Sequence, residues 1–304
     1  MNEQPTRTPT IAELKELYGK NVNVMQFLRE LGGTNRNSPE AILVSYDLQS
    51  GSYTQALEKS DYREKHERYT AALAQVFDRL GGDSLLEAGV GEATTLCNTV
   101  AKLRRPPRTI HGFDISWSRI AYAQRFAKRF AFAPQFSTGD LFHIPAPDGS
   151  FDIVLTSHAI EPNHGRERDA LAELSRVARK WLVLFEPSYE LGSPEARARM
   201  EANGYVRPLP EAARALGLEV VEHRLLEFSY SALNPTALLL IRKPEPSASV
   251  PPTFGCPVCH QPLAAVRGQL FCDSCSLVFP VIDGIPCLLP GNGILASKFL
   301  TDFA

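Results

Sequence analysis

Ser84-Leu-Leu-Glu-Ala-Gly-Val-Gly-Glu-Ala-Thr-Thr-Leu96 decides how this chain is read. A short apolar run ends at Leu86, gives way to an acidic residue, Glu87, and then to a Gly-x-Gly turn. In nucleotide-binding α/β sheets a buried parallel strand hands over to a helix in this way. Gly89 and Gly91 carry no Cβ, so the backbone can turn sharply there and a ligand can come close to it. Glu87 falls at the carboxyl end of the strand, where such sheets bind their ligands. Thr94 stands where the dinucleotide fingerprint has its third small residue, and Glu87 and Glu92 would repel a phosphate. A positively charged, phosphate-free ligand suits this turn better.

The segment Glu87-Ala-Gly-Val-Gly91 resembles the first motif, acidic-x-Gly-x-Gly, of the Rossmann-like (class I) S-adenosylmethionine-dependent methyltransferases. The resemblance implies cofactor contacts from Glu87, Ala88, Gly89 and Gly91. Residues 109–113 predict a second strand ending at Asp114, which lies 23 positions after Gly91. That is close to the roughly 20-residue spacing at which a strand-end carboxylate accepts from both ribose hydroxyls. Asp114 or Ser116 can equally cap a helix over 118–130, and Ile115 between them falls beside the cofactor. In the resembled family a Gly-Asp pair after strand three holds the adenine amino group; here that is Gly139-Asp140, with Leu141 against the ring. Asp148-Gly-Ser-Phe-Asp-Ile-Val154 is similar to the family's entry into a buried fourth strand, 151–159, near whose end Ser157 meets the cofactor.

The rest of the chain fits around this core. Residues 1–70 read as mostly helical and polar, with helical spacing at 11–18 and 24–31, a loop at 35–39 and a charged run at 58–68. By the resemblance, Tyr46 and Tyr53 are candidates for a lid over the cofactor, although aromatic packing of a helical cap accounts for either one. Apolar residues at 73, 76, 77 and 80 form a helical stripe ended by Gly81-Gly82. A helix over 169–179, a fifth strand over 181–187, helices at 195–203 and 211–216, and strands at 219–228 and 236–242 follow. Asn234-Pro235 reads as a turn joining the last two strands into an antiparallel hairpin. The implied fold is α/β: a seven-stranded, mostly parallel methyltransferase sheet with helices on both faces, an N-terminal helical cap and a small C-terminal zinc-ribbon domain. The expected boundaries are a cap at 1–69, a catalytic unit at 70–243, a proline-rich linker at 244–254 and the ribbon at 255–304.

The ribbon rests on Cys256-Pro-Val-Cys259 and Cys272-Asp-Ser-Cys275, separated by 12 residues. Each Cys-x-x-Cys turn offers two thiolates, and two such turns complete a tetrahedral, closed and therefore structural zinc site. A segment of this size cannot bury much core unaided, so a metal would hold it together. A redox dithiol would need no second pair, while a rubredoxin-like iron site has compatible spacing. The apolar segment Phe279-Pro-Val-Ile-Asp-Gly-Ile-Pro286 resembles, with the Cys-Pro-x-Cys start, the small zinc-ribbon activator subunit of several tRNA, rRNA and release-factor methyltransferases. That subunit is a separate protein; here it is fused in cis. Cys287 lies outside the ligand set and reads as a buried small residue.

Composition narrows the partners. The formal net charge is −2, and residues 244–304 hold two basic residues, Arg267 and Lys298, against four acidic ones, which argues against nucleic acid as the ribbon's ligand. Packing on the catalytic unit, or on a second subunit as a homodimer, is expected instead. No apolar run is long enough to span a bilayer and the first ten residues are polar, which reads as a cytoplasmic protein with no membrane partner. Candidate catalytic groups past strand four are His158, Glu161 and His164, with His158 or His164 able to deprotonate a hydroxyl. The Asn-Pro-Pro-Tyr type motif of enzymes that methylate planar amino groups is absent, and no cysteine follows strands four or five. A small-molecule substrate, a sugar or secondary metabolite methylated at oxygen, nitrogen or carbon, is therefore the leading expectation. An RNA or protein substrate, with Lys102, Arg104, Arg105 and Arg108 as a basic footprint, and a non-catalytic cofactor-binding scaffold are the alternatives.

Overall fold

The computed structural model describes residues 8–244 and 250–302. The polar start read at residues 1–7, part of the linker at 245–249 and the last two residues lie outside the described residues. The helical cap consists of α1 (Ile11–Gly19), α2 (Val24–Leu31), α3 (Pro39–Leu48) and α4 (Ser52–Ala56). Three of these begin where the sequence supplies a side-chain acceptor for a free helix N–H: Thr10, Asn23 and Ser38. The next helix, α5 (Ser60–Leu80), runs unbroken across the boundary that the sequence suggests near residue 70.

The large α/β unit continues with β1 (Ser84–Ala88), α6 (Thr94–Val100), β2 (Thr109–Asp114), α7 (Trp117–Ala127), β3 (Gln135–Thr138), β4 (Phe151–Ser157), α8 (Glu167–Val177), β5 (Ala178–Pro187), α9 (Pro194–Ala202), α10 (Leu209–Ala215), β6 (Glu219–Leu225) and β7 (Thr236–Arg242). These strands form one sheet in the order β3-β2-β1-β4-β5-β7-β6, and β7 runs antiparallel to both neighbours. The expected hairpin thus closes a sheet that is otherwise parallel. Every residue of β1 is buried, because helices cover both faces. Leu85 packs into one apolar layer with Phe77, Leu96 and Ile120; its neighbour Leu86 packs into the other with Leu171 and Leu174. The strand order reverses between β1 and β4, and that reversal opens a crevice at their carboxyl ends.

The ribbon contributes β8 (Ala264–Val266), β9 (Gln269–Cys272), β10 (Leu277–Phe279), β11 (Val281–Ile282), β12 (Ile285–Pro286) and β13 (Ile294–Leu295). It docks in cis against the β3 edge of the large sheet. Cys287 makes a parallel bridge to Thr138, and the Leu288 N–H donates to Thr138 Oγ1 at 2.9 Å. Ile285 is buried in the first apolar layer of the large α/β unit, and Phe254 packs on the His111 ring with centroids 5.1 Å apart. Gly255 permits this approach: a Cβ there would sit 2.7 Å from the Ala146 carbonyl carbon. Cys287 is buried, as the sequence suggests. Among the described residues no helix is long and apolar enough to cross a membrane.

Candidate active site

The carboxyl ends of β1, β2 and β4 form the floor of a cavity of about 550 Å³, a size suited to a small molecule or cofactor. Its opposite wall comes from α2, α3 and α4 through residues such as Gln26, Ile42, Tyr46 and Tyr53. Of the expected cofactor residues, Tyr53, Glu87, Gly89, Gly91, Asp114, Ile115, Asp140, Leu141 and Ser157 all line it. Ala88 does not; it is buried within β1.

The turn after β1 is tightly held. Gly89 adopts φ +73°, and a Cβ there would lie 2.3 Å from the Cβ of Ala159, so glycine lets β1 and the exit of β4 meet at the point where the strand order reverses. Its N–H and that of Val90 both donate to the Phe113 carbonyl. Glu87 is 1% exposed, and its Oε2 has no partner. Burial, reinforced by the neighbouring Asp114, pushes its pKa well up. The Asp114 carboxylate accepts from the N–H groups of Gly91 and Ser116, each at 3.0 Å, and Ser116 caps α7 through its hydroxyl. Burial raises the Asp114 pKa despite the opposing Arg119 and these two donors.

Glu92 does something the sequence does not indicate. It faces the cap, accepting from the N–H groups of Gly51 and Tyr53 through one oxygen and of Thr54 through the other. It fixes the start of α4 over the turn instead of standing open to repel a ligand. A second tie joins Ser116 Oγ to Asp47 of α3 at 2.6 Å. On the β3 side, Asp140 accepts from the Phe142 N–H and pairs with His143 Nδ1 at 2.8 Å.

Beyond β4 the chain enters a polar wall. Ser157 Oγ hydrogen-bonds with the Tyr69 hydroxyl at 2.9 Å. His158 has φ +56°, a conformation strained for a side-chain-bearing residue and often found at functional sites. Its Nδ1 lies 2.6 Å from Glu161 Oε2 and its Nε2 2.8 Å from Thr236 Oγ1. Burial opposes charge on His158, but Glu161 and the more distant Glu186 outweigh it and raise the pKa. Burial likewise opposes charge on Glu161, where His158 and the side chains of Tyr205 and Asn234 prevail and lower the pKa. Each group thus favours the charged form of the other.

His164 is not part of this wall. It does not line the cavity; its ring is held between Glu167 at 3.0 Å and Arg207 at 3.3 Å. Asn163 does line it, as do Arg119, Tyr62, Tyr69, Tyr205, Tyr230 and Asn234, which sequence reasoning left out. These come from α5, α7, the segment after α9 and the β6–β7 connection, and their local sequence carries no motif. Six of the nine tyrosines line the cavity, so its walls present many π-faces alongside carboxylates, a surface suited to a cation.

The basic residues proposed as a footprint stand elsewhere. They precede β2, at the end of the sheet opposite the cavity, with Lys102 paired to Glu67 at 2.8 Å and Arg104 to Asp78 at 3.1 Å. In the ribbon, the sulfurs of Cys256, Cys259, Cys272 and Cys275 all lie within 4.8 Å of one another. A zinc tetrahedron with Zn–S of about 2.3 Å has S–S edges of about 3.8 Å, so shifts of about 1 Å or less in the sulfurs let the donor set fit one ion. Among the described residues, none of the ribbon lines the cavity.

Residues 85–180 match the family described as methyltransferase domain, and residues 255–284 match the Trm112p-like proteins. Ajmaline N-methyltransferase of Rauvolfia serpentina is 34% identical over 97 residues, 31% of this chain and 32% of that protein. The chain thus spans about a third of the length of the curated relative it matches. Among solved structures, the magnesium protoporphyrin IX methyltransferase of Synechocystis PCC 6803, with bound S-adenosylhomocysteine, superposes with a TM-score of 0.51 at 14% identity, over 66% of this chain and 99% of that one. A chain from the Haloferax volcanii complex of the Trm112 methyltransferase activator with a protein assigned as a methyltransferase gives 0.50 at 18% identity, over 66% and 98%. At such identities the likeness is one of fold.

Proposed function

We propose that this chain, which carries a methyltransferase domain and a C-terminal Trm112-like domain, transfers a methyl group from S-adenosylmethionine to a small molecule bound in the cavity above β1, β2 and β4. The observation that carries this reading is the cradle itself. A glycine turn that no side chain could replace, an unpartnered buried carboxylate oxygen on Glu87 and a strand-end Asp114 converge on one cavity lined by tyrosines. Asp114 would take the ribose hydroxyls, Asp140 and Leu141 the adenine, and Glu87 the ammonium of the amino-acid end, with Tyr46 and Tyr53 closing over them. The sulfonium supplies an activated methyl group; the protein's part is to align the nucleophile with it in a space closed to water.

The polar wall supplies the rest. We place the substrate's nucleophile near Glu161, Tyr205 and Asn234. His158, engaged at both ring nitrogens, acts as a positioning residue that favours the ionised form of Glu161, the proton acceptor. Cap helices roof the cavity, and the basic residues 102–108 lie at the far end of the sheet, so a small molecule is favoured over RNA. The four cysteines would hold a structural zinc ion.

Calorimetric titration with S-adenosylmethionine and S-adenosylhomocysteine, beside Asp114→Ala, tests the cofactor. Micromolar affinity that drops by about 100-fold in the variant is expected for loss of charge-assisted hydrogen bonds to two hydroxyls. Absence of binding to a folded wild-type chain would sink the reading. Transfer of labelled methyl groups from a cell extract's small-molecule fraction, measured against its RNA fraction, then decides the substrate class.

A further inference from the structure

Two buried polar atoms of cavity-lining residues lack partners: Oε2 of Glu87 in β1 and Nη2 of Arg119 in α7. Arg119 is 6% exposed, and the remainder of its side chain is fixed. Its Nε–H donates to the Tyr46 carbonyl at 3.2 Å, and its guanidinium carbon sits 4.5 Å from the Tyr46 ring centre and 5.1 Å from that of Tyr53. Aromatic faces above a guanidinium leave its in-plane N–H groups for an acceptor. Nη1 stands 3.3 Å from where a Cβ on Gly91 would lie, so the fork is at the Gly-x-Gly turn and not at the Asp140 end. The nearby Asp114 is itself held by two backbone N–H groups. A buried charged donor with an unmade hydrogen bond is costly unless a ligand completes it.

The other two lining arginines are engaged, Arg29 by Asn37 and the Ala202 and Asn203 carbonyls and Arg199 by Asn234, and the remaining charged groups of the lining are the carboxylates of Glu87, Glu92, Asp114, Asp140 and Glu161. The cofactor assigned above has a single anionic group, the α-carboxylate of its amino-acid end. We propose that Arg119 binds that carboxylate, so that Arg119 and Glu87 together clamp a zwitterion at the Gly-x-Gly turn. The inference rests on the cofactor reading. It goes further in naming a cavity-lining arginine of α7, outside every motif in the sequence, as the residue that distinguishes a ligand with an amino-acid end from one without.

The experiment compares two thioether ligands: S-adenosylhomocysteine and methylthioadenosine, which keeps adenine, ribose and sulfur but lacks the amino-acid end. Both are titrated calorimetrically into the full chain, wild type, Arg119→Met and Arg119→Lys. Methionine keeps bulk beside the tyrosine rings; lysine keeps the charge. Arg119→Met should weaken S-adenosylhomocysteine by about 10- to 100-fold and leave methylthioadenosine within about twofold, with Arg119→Lys in between. Equal weakening of both ligands would assign Arg119 to the ribose or to cap packing, and an unchanged affinity ratio in both variants overturns the proposal. If Arg119→Met fails to fold, the ratio in Arg119→Lys decides alone. Failure of S-adenosylhomocysteine to bind the wild type instead removes the cofactor reading, and this inference with it.

Discussion

His158 and His111 mark two seams of this molecule, and they titrate in opposite directions. His158, at the cavity, has about a quarter of its side chain exposed and contacts Thr236; burial opposes its charge, but Glu161 and Glu186 raise its pKa. His111, beneath the ribbon, is buried against Phe151 and Phe254, and burial lowers its pKa to about 4. The two sites show how one residue type serves opposite ends. Carboxylates favour the charged form of one histidine, and burial among aromatic rings favours the neutral form of the other. The first seam lines the cavity, and the second holds two units of one chain together.

Metal removal should break the comparison most strongly. Structural zinc contributes on the order of 10–16 kcal/mol to small cysteine-ligated units, so chelation or Cys272→Ser should unfold the ribbon and release Phe254 from His111. Metal content by atomic absorption should fall from one zinc per chain to none. The His111 ring proton, followed by NMR, should then titrate near the ordinary 6.5, while His158 stays unchanged. A ribbon that remains docked after chelation would refute the structural role of the metal.

The next effect is a pH dependence confined to the second seam. The unfolded chain protonates His111 at about 6.5 and the folded one at about 4, so the unfolded state binds the extra proton between those values. Stability is therefore intact above pH 6.5, falls as pH drops, and has lost up to about 3 kcal/mol below pH 4 through this group. His111→Leu should flatten that part of the denaturation profile.

Glu161→Gln sharpens the contrast from the other side. Without the carboxylate only Glu186 still opposes burial at His158, and its NMR-detected pKa should fall below the wild-type value. The pair's contribution from His158 is present below pH 6.5 and lost as pH rises through the raised folded value. Its contribution from Glu161 is lost as pH falls through the lowered one. Because His158 is partly open to the cavity, the expected loss near neutral pH is about 2 kcal/mol, below the 3–5 of a fully buried pair.

Much of the cradle was legible because it is local. Glu87, Gly89, Gly91 and Asp114 each sit at a strand-to-helix turn whose geometry their own neighbours specify, and the structure brings them to one cavity. The polar wall was less so. His158 and His164 are equally plausible in sequence, yet a few residues of loop turn one into the cavity and the other toward Glu167 and Arg207. Glu92 reads as a charge facing a ligand and serves instead to hold the N–H groups of α4. Arg119, Tyr205 and Asn234 belong to segments with no period or motif that marks them. Lys102 and Arg104 form a stripe in sequence but lie at the far end of the sheet, because residues just before a parallel strand and residues just after one emerge at opposite edges.

By itself, then, the sequence determined the strand order's starting point, the glycine turn and its acidic flank, and the fourfold cysteine set, since each depends on spacing within a few residues and on chemistry that side chains carry everywhere. Only the tertiary structure decided that the ribbon closes the β3 edge of its own chain, that α3 and α4 roof the cavity, and that Arg119 ends there with an N–H to spare. These depend on which distant surfaces meet, and packing, not residue spacing, selects those contacts.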